Sequence, residues 1–259
     1  DWKNSMELKG QSAIISGGGS GLGKATAVHL ASKGCKVGII DINETLAKDV
    51  AGQISGSWAS CDISNAESTE EAFEKIQHEI GPIRIMIACA GVATGAKLIS
   101  KDGSPNNLEK FKRVIEINLI GTINCMRLAA ASMSSLDTVH EGERGIMIGT
   151  ASAAAFEGQI GQCGYSASKG GIASMTLTLA RELAREGIRV NAIAPGLMDT
   201  PMTSGLPEPV LESLIAKTLY PKRLGQSEEY AQLVEHICVN RFINGSVIRF
   251  DGALRLEPK

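Results

Sequence analysis

The chain has 259 residues, is 43% hydrophobic, and sets 26 Lys and Arg against 28 Asp and Glu for a formal net charge of −2. That length allows one large domain or two small ones with ample core, and so much apolar surface excludes a disordered chain. The near-neutral balance argues against a general nucleic-acid binder, and every apolar run meets a Gly, a Ser or a charge too soon to cross a bilayer.

Short β-branched runs alternate with longer helical patterns. Residues 12–16 read as a strand, 22–33 as a helix, 36–40 as the next strand and 44–54 as a second helix. A weaker strand at 57–61 precedes a helix at 67–80, which Gly81-Pro82 stops, and the apolar run 83–88 reads as a strand covered on both faces. The rhythm continues with a helix at 108–133, a strand at 145–149, a helix at 165–186, a strand at 188–193, a helix at 228–239 and a strand at 246–250. Such alternation predicts right-handed crossovers and an α/β, doubly wound parallel sheet with helices on both faces. With no Pro/Gly/Ser-rich linker and no repeat, one domain over residues 1–259 is the economical reading. Residues 92–107 and 197–220 break the pattern. Both follow predicted strands and so emerge at the carboxyl edge of the sheet, where open α/β folds bind ligands.

The six cysteines (Cys35, Cys61, Cys89, Cys125, Cys163, Cys238) and four histidines are scattered without metal-ligand spacing. Buried thiols in a reducing compartment, no metal site and a cytoplasmic location are therefore expected. Residues 1–5 lack the apolar core of a signal peptide, and Met6 is a candidate natural start. The sequence leaves open whether those five residues are a non-native leader.

Ser16-Gly17-Gly18-Gly19-Ser20-Gly21-Leu22-Gly23 joins the first strand to the first helix. Its glycines allow positive φ and let backbone amides approach a pyrophosphate at a helix N-terminus. A tight turn alone would use glycines too, but Asp41 follows 18 residues after Gly23 at the end of the second strand. There a carboxylate accepts hydrogen bonds from an adenosine ribose, although it would serve equally as a helix N-cap. A 2′-phosphate beside it would be repelled by about 1–4 kcal/mol at effective dielectrics of roughly 80 to 20. NAD is thus favoured over NADP.

Tyr165 and Lys169, four residues apart, share one helical face. A lysine ammonium near a phenol is expected to lower its pKa toward neutrality, fitting it to exchange a proton with an alcohol or ketone. Ser152, just past the fifth strand, is placed to polarise a substrate oxygen or to cap a helix. Asn118, inside an otherwise apolar helix, needs polar partners, as structural glue or as part of a water relay.

Taken together, the glycine loop, Asp41, Asn118, Ser152, Tyr165, Lys169 and Ala194-Pro195-Gly196 resemble, in order and over the whole chain, the short-chain dehydrogenase/reductase family. The resemblance implies a Rossmann-type seven-stranded sheet, a nicotinamide cofactor and a Ser-Tyr-Lys site supported by Asn118. In that pattern Tyr165 is the acid/base, Ser152 orients substrate, and Lys169 also holds the nicotinamide ribose. Asp62 and Ile63 would lie at the adenine, Ala90 and Gly91 near the ribose, and Pro195, Gly196, Leu197 and Thr200 near the carboxamide. Two departures are Ser16 for a usual threonine and Ala88 for a usual asparagine.

Residues 150–162, Arg223-Leu224-Gly225 and Ile248-Arg249-Phe250-Asp251-Gly252-Ala253 are further similar to a subgroup, the type 2 3-hydroxyacyl-CoA dehydrogenases, also called 17β-hydroxysteroid dehydrogenases type 10. This implies NAD-linked interconversion of 3-hydroxyacyl-CoA and 3-ketoacyl-CoA by a homotetramer, with the helices from Leu108 and Tyr165 at an interface. Gln162, three residues before Tyr165, is a candidate amide donor to a thioester or keto oxygen, with a surface glutamine as the plain alternative. Lys97 and Lys101 are candidates for the phosphates of a CoA tail, or simply solvated. The competing readings are a reductase for acyl-carrier protein or steroids, and a non-catalytic NAD-binding scaffold. Neither nucleic acid nor a membrane is an expected partner.

Overall fold

A computed structural model describes residues 6–205 and 207–258; the question of a leader at residues 1–5 lies outside the described residues. The apolar runs pair as seven parallel strands: β1 (Ser12–Ser16), β2 (Lys36–Asp41), β3 (Ser57–Ser60), β4 (Ile85–Ala88), β5 (Gly145–Thr150), β6 (Ile188–Pro195) and β7 (Val247–Phe250). Their order is β3-β2-β1-β4-β5-β6-β7, which reverses direction between β1 and β4. Ser16 lies beside Ile40 and Ala88, and Ala88 beside Gly149, so these four strands end level. The segments leaving β1, β4 and β5 therefore converge at one edge, at the switch point of the sheet.

Because side chains alternate along a strand, Ile14 and Ile15 enter opposite layers. Ile15, Ile39, Ile87 and Ile148 pack under α1 (Gly21–Ser32), α2 (Glu44–Ile54) and α9 (Ser227–Val239), through Leu30, Val50 and Tyr230. On the other face Ile14, Ile40, Met86 and Met147 meet Phe73 and Ile76 of α3 (Ala66–Ile80), together with Met126 and Met133. Polar residues at the predicted boundaries start the helices: Asn43 accepts from Leu46 N at 3.1 Å and Asn65 from Ser68 N at 2.9 Å.

Three stretches differ from expectation. The predicted helix 108–133 is α4 (Glu109–Ile115) and α5 (Gly121–Ser134) joined by a π-turn over Glu116–Ile120, with Asn118 buried at its centre. As one stretch, Glu109–Ser134 is long and apolar enough by composition to cross a membrane, which corrects the reading that no such run exists; its most apolar window is 44% buried within the fold. Met126, Ala129 and Met133 pack in the core, which accounts for that composition. Helix α6 runs Cys163–Glu182, and a 3-10 turn at Ala184–Glu186 completes the predicted span to 186. Finally, residues 197–220, expected to be irregular, contain α7 (Pro201–Ser204) and α8 (Glu208–Ala216). Both have proline in the first turn, where the missing N–H costs nothing.

All six cysteines are free; Cys35, Cys61, Cys125 and Cys238 are buried, whereas Cys163 is exposed. Burial pushes the thiols of Cys35 and Cys238 up to about 12.

Candidate active site

The turn from β1 into α1 is shaped by side chains it lacks. Gly17 has φ of 68°, and a Cβ there would sit 2.6 Å from Ala90 N; one on Gly23 would sit 2.1 Å from Gly17 O. The backbones after β1 and β4 thus run in contact, which no side chain would permit. Helix α1 begins at Ser20 without a side-chain cap, and its first turn holds no acidic residue. Its N–H groups and positive dipole end therefore face Ser20, Gly21 and Leu22, which line a cavity of about 360 Å³.

Asp41 packs against the loop, outside the lining of this cavity. Its Oδ2 accepts from Gly19 N and its Oδ1 from Asn43 N, each at 3.0 Å. The helix-cap alternative for Asp41 does not hold, because Asn43 caps α2. A Cβ on Gly19 would press on Asp41 Oδ2 at 2.9 Å, so loop and carboxylate are fitted to each other. Together the bare helix start, the close-packed glycines and the carboxylate fit an anionic dinucleotide.

Five expected cofactor residues, Ser16, Gly17, Gly23, Ala90 and Ile63, bring no side chain to the cavity, which corrects a direct side-chain role for them. Ser16 is fully buried in the sheet beside the Cys125 thiol and brings no side chain to the cavity. Gly17, Gly23 and Ala90 pack beneath the loop and act through backbone shape. Ile63 is buried against the position of Gly121, leaving only its backbone for an adenine. Asp62 is exposed next to it, its Oδ1 accepting from the Ser64 hydroxyl at 2.7 Å.

At the level of β5 the expected catalytic residues come together. Ser152, Tyr165 and Lys169 line the same cavity as Gly91, Pro195, Gly196, Leu197 and Thr200. Ser152 Oγ accepts from Ala154 N at 3.1 Å, so this serine caps a 3-10 turn (Ala153–Ala155) and faces the cavity at once. Lys169 Nζ donates to Thr150 O at 2.7 Å. Beneath it the hydroxyls of Thr150 and Tyr230 share a hydrogen bond of 2.8 Å, with Cys89 Sγ 3.5 Å from the first and 3.7 Å from the second. The side chain of Asn118 finds its polar partners within the protein, as the structural alternative requires. Its Oδ1 accepts from Val92 N at 2.8 Å, while Nδ2 donates to Val92 O at 2.9 Å and Ser168 Oγ at 3.1 Å. It ties the exit of β4, and with it Gly91, to helix α6, which carries Tyr165 and Lys169.

The electrostatics correct one expectation. Burial pushes the Tyr165 phenol above its ordinary value, and a hydrogen bond to Ser152 recovers part of the rise. Burial also pulls Lys169 down to about 8, with Cys89 opposing the fall. Lys169 Nζ lies 5.9 Å from the Tyr165 ring centre, and desolvation, not the ammonium, decides the direction for the phenol. At neutral pH the pair is a protonated phenol beside a mostly charged lysine.

Gln162 lines the cavity, and its Oε1 is buried without a partner while Nε2 donates to Gln159 Oε1 at 3.3 Å. That leaves polar capacity within the cavity wall. Lys97 and Lys101 are exposed and are not part of this wall. Thr150, Gln159, Met202 and Leu256 belong to the site without having been read from the sequence. Thr150 sits two residues before Ser152, a signal present in the sequence; Leu256 carries no local signal at all.

The short chain dehydrogenase family matches residues 11–210. The chain is 43% identical to the human protein named 3-hydroxyacyl-CoA dehydrogenase type-2 and 41% to its Drosophila melanogaster counterpart, over 97% of this chain and 97% and 100% of theirs. The crystal structure of 3-hydroxyacyl-CoA dehydrogenase type-2 from Mycobacterium avium superposes with a TM-score of 0.92 at 37% identity, covering 98% of this chain and all of that one.

Proposed function

The chain belongs to the short chain dehydrogenase family, and on that premise we propose that it uses NAD to interconvert the alcohol and ketone of a 3-hydroxyacyl-CoA and a 3-ketoacyl-CoA. The observation that carries this reading is the convergence of Ser152, Tyr165 and an anchored Lys169 on one cavity that also reaches the bare start of α1. Near-full-length likeness to the dehydrogenases named above supports the substrate class. Asp41 supports NAD, since its carboxylate would repel a 2′-phosphate.

When bound, the nicotinamide supplies or accepts the hydride. The chain's own residues handle the proton and the position of the substrate. In reduction the hydroxyls of Ser152 and Tyr165 hold the carbonyl oxygen, and Tyr165 passes its proton to that oxygen as negative charge develops there. The Lys169 ammonium and the Ser152 hydroxyl then stabilise the resulting phenolate. In oxidation the same phenolate takes the proton from the substrate hydroxyl. Protonated Tyr165 at neutral pH suits the reductive direction, and rising pH favours the oxidative one. Gln162, in the wall of the same cavity, supports a contact from its amide N–H to the substrate's thioester oxygen.

Exposed Leu108, Ile120 and Ile123 along α4 and α5, and Leu177 on α6, support a homotetramer built on these helices. Mixing the protein with acetoacetyl-CoA and either NADH or NADPH, and following reduced-cofactor absorbance, tests the reading. It predicts faster loss of NADH than of NADPH. Reduction of small ketones with no turnover of acetoacetyl-CoA would remove the thioester, and a preference for NADPH would remove NAD.

A further inference from the structure

Residues 254–258 run along the loop between Ser152 and Tyr165. Pro258 O accepts from Ile160 N at 2.9 Å, and Glu257 O accepts from Gln159 Nε2 at 3.1 Å. Glu157 is the knot between loop and tail. Its Oε2 accepts from Leu256 N at 3.1 Å, and its carboxylate is gripped by Arg249 at 2.7 and 3.1 Å. Arg249 in turn bonds Asp251 at 2.6 Å and Leu254 O at 3.1 Å. At the other side Lys217, the residue capping α8, pairs with Glu257 at 2.9 Å. The tail is thus fastened to β7, to the loop preceding Tyr165 and to the α7–α8 segment.

The pattern within the tail shows what this fastening presents. Leu254 is fully buried, Arg255 and Glu257 are exposed, and Leu256 is half-buried in the wall of the catalytic cavity. Leu256 shares that wall with Ala154, Met198 and Met202. These are apolar groups that offer nothing to the amides of a pantetheine arm but suit a hydrocarbon.

We infer that Leu256, held by the Glu157-centred clamp, is a specificity-determining residue that bounds the space for the acyl chain of the substrate. The inference rests on the cavity being the substrate site; it does not require the substrate to be a CoA thioester. A side chain added or removed in an apolar pocket changes discrimination by about tenfold or more. Bulk at position 256 therefore sets which chain lengths are accepted.

The test compares kcat/KM for 3-ketooctanoyl-CoA with that for acetoacetyl-CoA in the wild type, Leu256→Trp and Leu256→Ala, with NADH affinity measured alongside. Leu256→Trp fills the space and should lower the long-to-short ratio by about tenfold or more. Leu256→Ala widens the space and should raise it by roughly threefold or more. NADH affinity should stay unchanged in both. If Leu256→Trp fails to fold, Leu256→Ala decides alone. An unchanged ratio with intact NADH binding overturns the inference. If the wild type turns over neither thioester, the substrate reading falls by itself. The ratio for a medium-chain methyl ketone against acetone then decides the role of Leu256.

Discussion

Around Gly17 and Gly23 the cleft is defined by backbone, with hypothetical Cβ atoms only 2.6 Å from Ala90 N and 2.1 Å from Gly17 O. Opposite, the wall around Gln162, Met202 and Leu256 is built from side chains on the loop before α6, the α7–α8 segment and the tail. One side admits no added atom and holds a ligand through N–H groups and shape. The other is a set of replaceable side chains clamped at their bases. The first side suits a constant cofactor, and the second a substrate whose identity rests on a few positions.

The sharpest way to break this contrast is to add an atom to the backbone side. Gly23→Ala places a methyl against Gly17 O and should weaken NADH binding by more than about 3 kcal/mol, or over about 100-fold, as read by NADH fluorescence. Near-normal affinity would mean that the turn is looser than its packing indicates.

A second test concerns Lys169, where the two sides meet. Its folded pKa, about 8, lies below the ordinary lysine value near 10.4. From pH 8 to roughly 10.4 the unfolded chain therefore binds more protons, and this group's contribution to stability rises with pH. Urea unfolding of the wild type minus that of Lys169→Met should gain on the order of 3 kcal/mol across this window. A flat difference would place the ammonium in a far more polar setting.

Asp41→Asn should come next in size. Removing the carboxylate's charge should raise kcat/KM for NADP relative to NAD by about 1–2 kcal/mol, roughly tenfold. Steady-state kinetics with both cofactors checks it, and an unmoved ratio would take Asp41 out of cofactor choice. Smallest is Glu229→Gln. Arg223 holds the Glu229 carboxyl down to about 2, but the pair is solvent-exposed, so thermal unfolding should register less than about 1 kcal/mol.

The same contrast explains what could be read from sequence. The glycine loop and Asp41 lie within one β-α-β stretch, and their meeting follows from residue type and spacing, so it was legible. Tyr165, Lys169 and Ser152 were legible too, because helical periodicity and position after a strand locate them. Leu256 was not: it lies 91 residues from Tyr165 along the chain, and long-range bonds to Glu157, Gln159, Ile160 and Lys217 bring its segment to the cavity. The π-turn at Asn118 was missed because the apolar periodicity continues through it, while the asparagine's bonds to Val92 and Ser168 are long-range. Prolines at 201 and 209 suggested irregular chain where they start helices. The direction of the Tyr165 shift was missed because spacing reveals a neighbouring lysine but not the depth of burial.

The central claim is that the hydroxyl of Tyr165 carries the proton while the cofactor cradle works independently of it. Tyr165→Phe, assayed for NADH affinity and for ketone reduction in the same preparation, tests this most directly. The account predicts NADH binding close to wild type and turnover lowered by about 10²–10⁴-fold. Turnover near the wild-type rate, with the phenol gone, would contradict it.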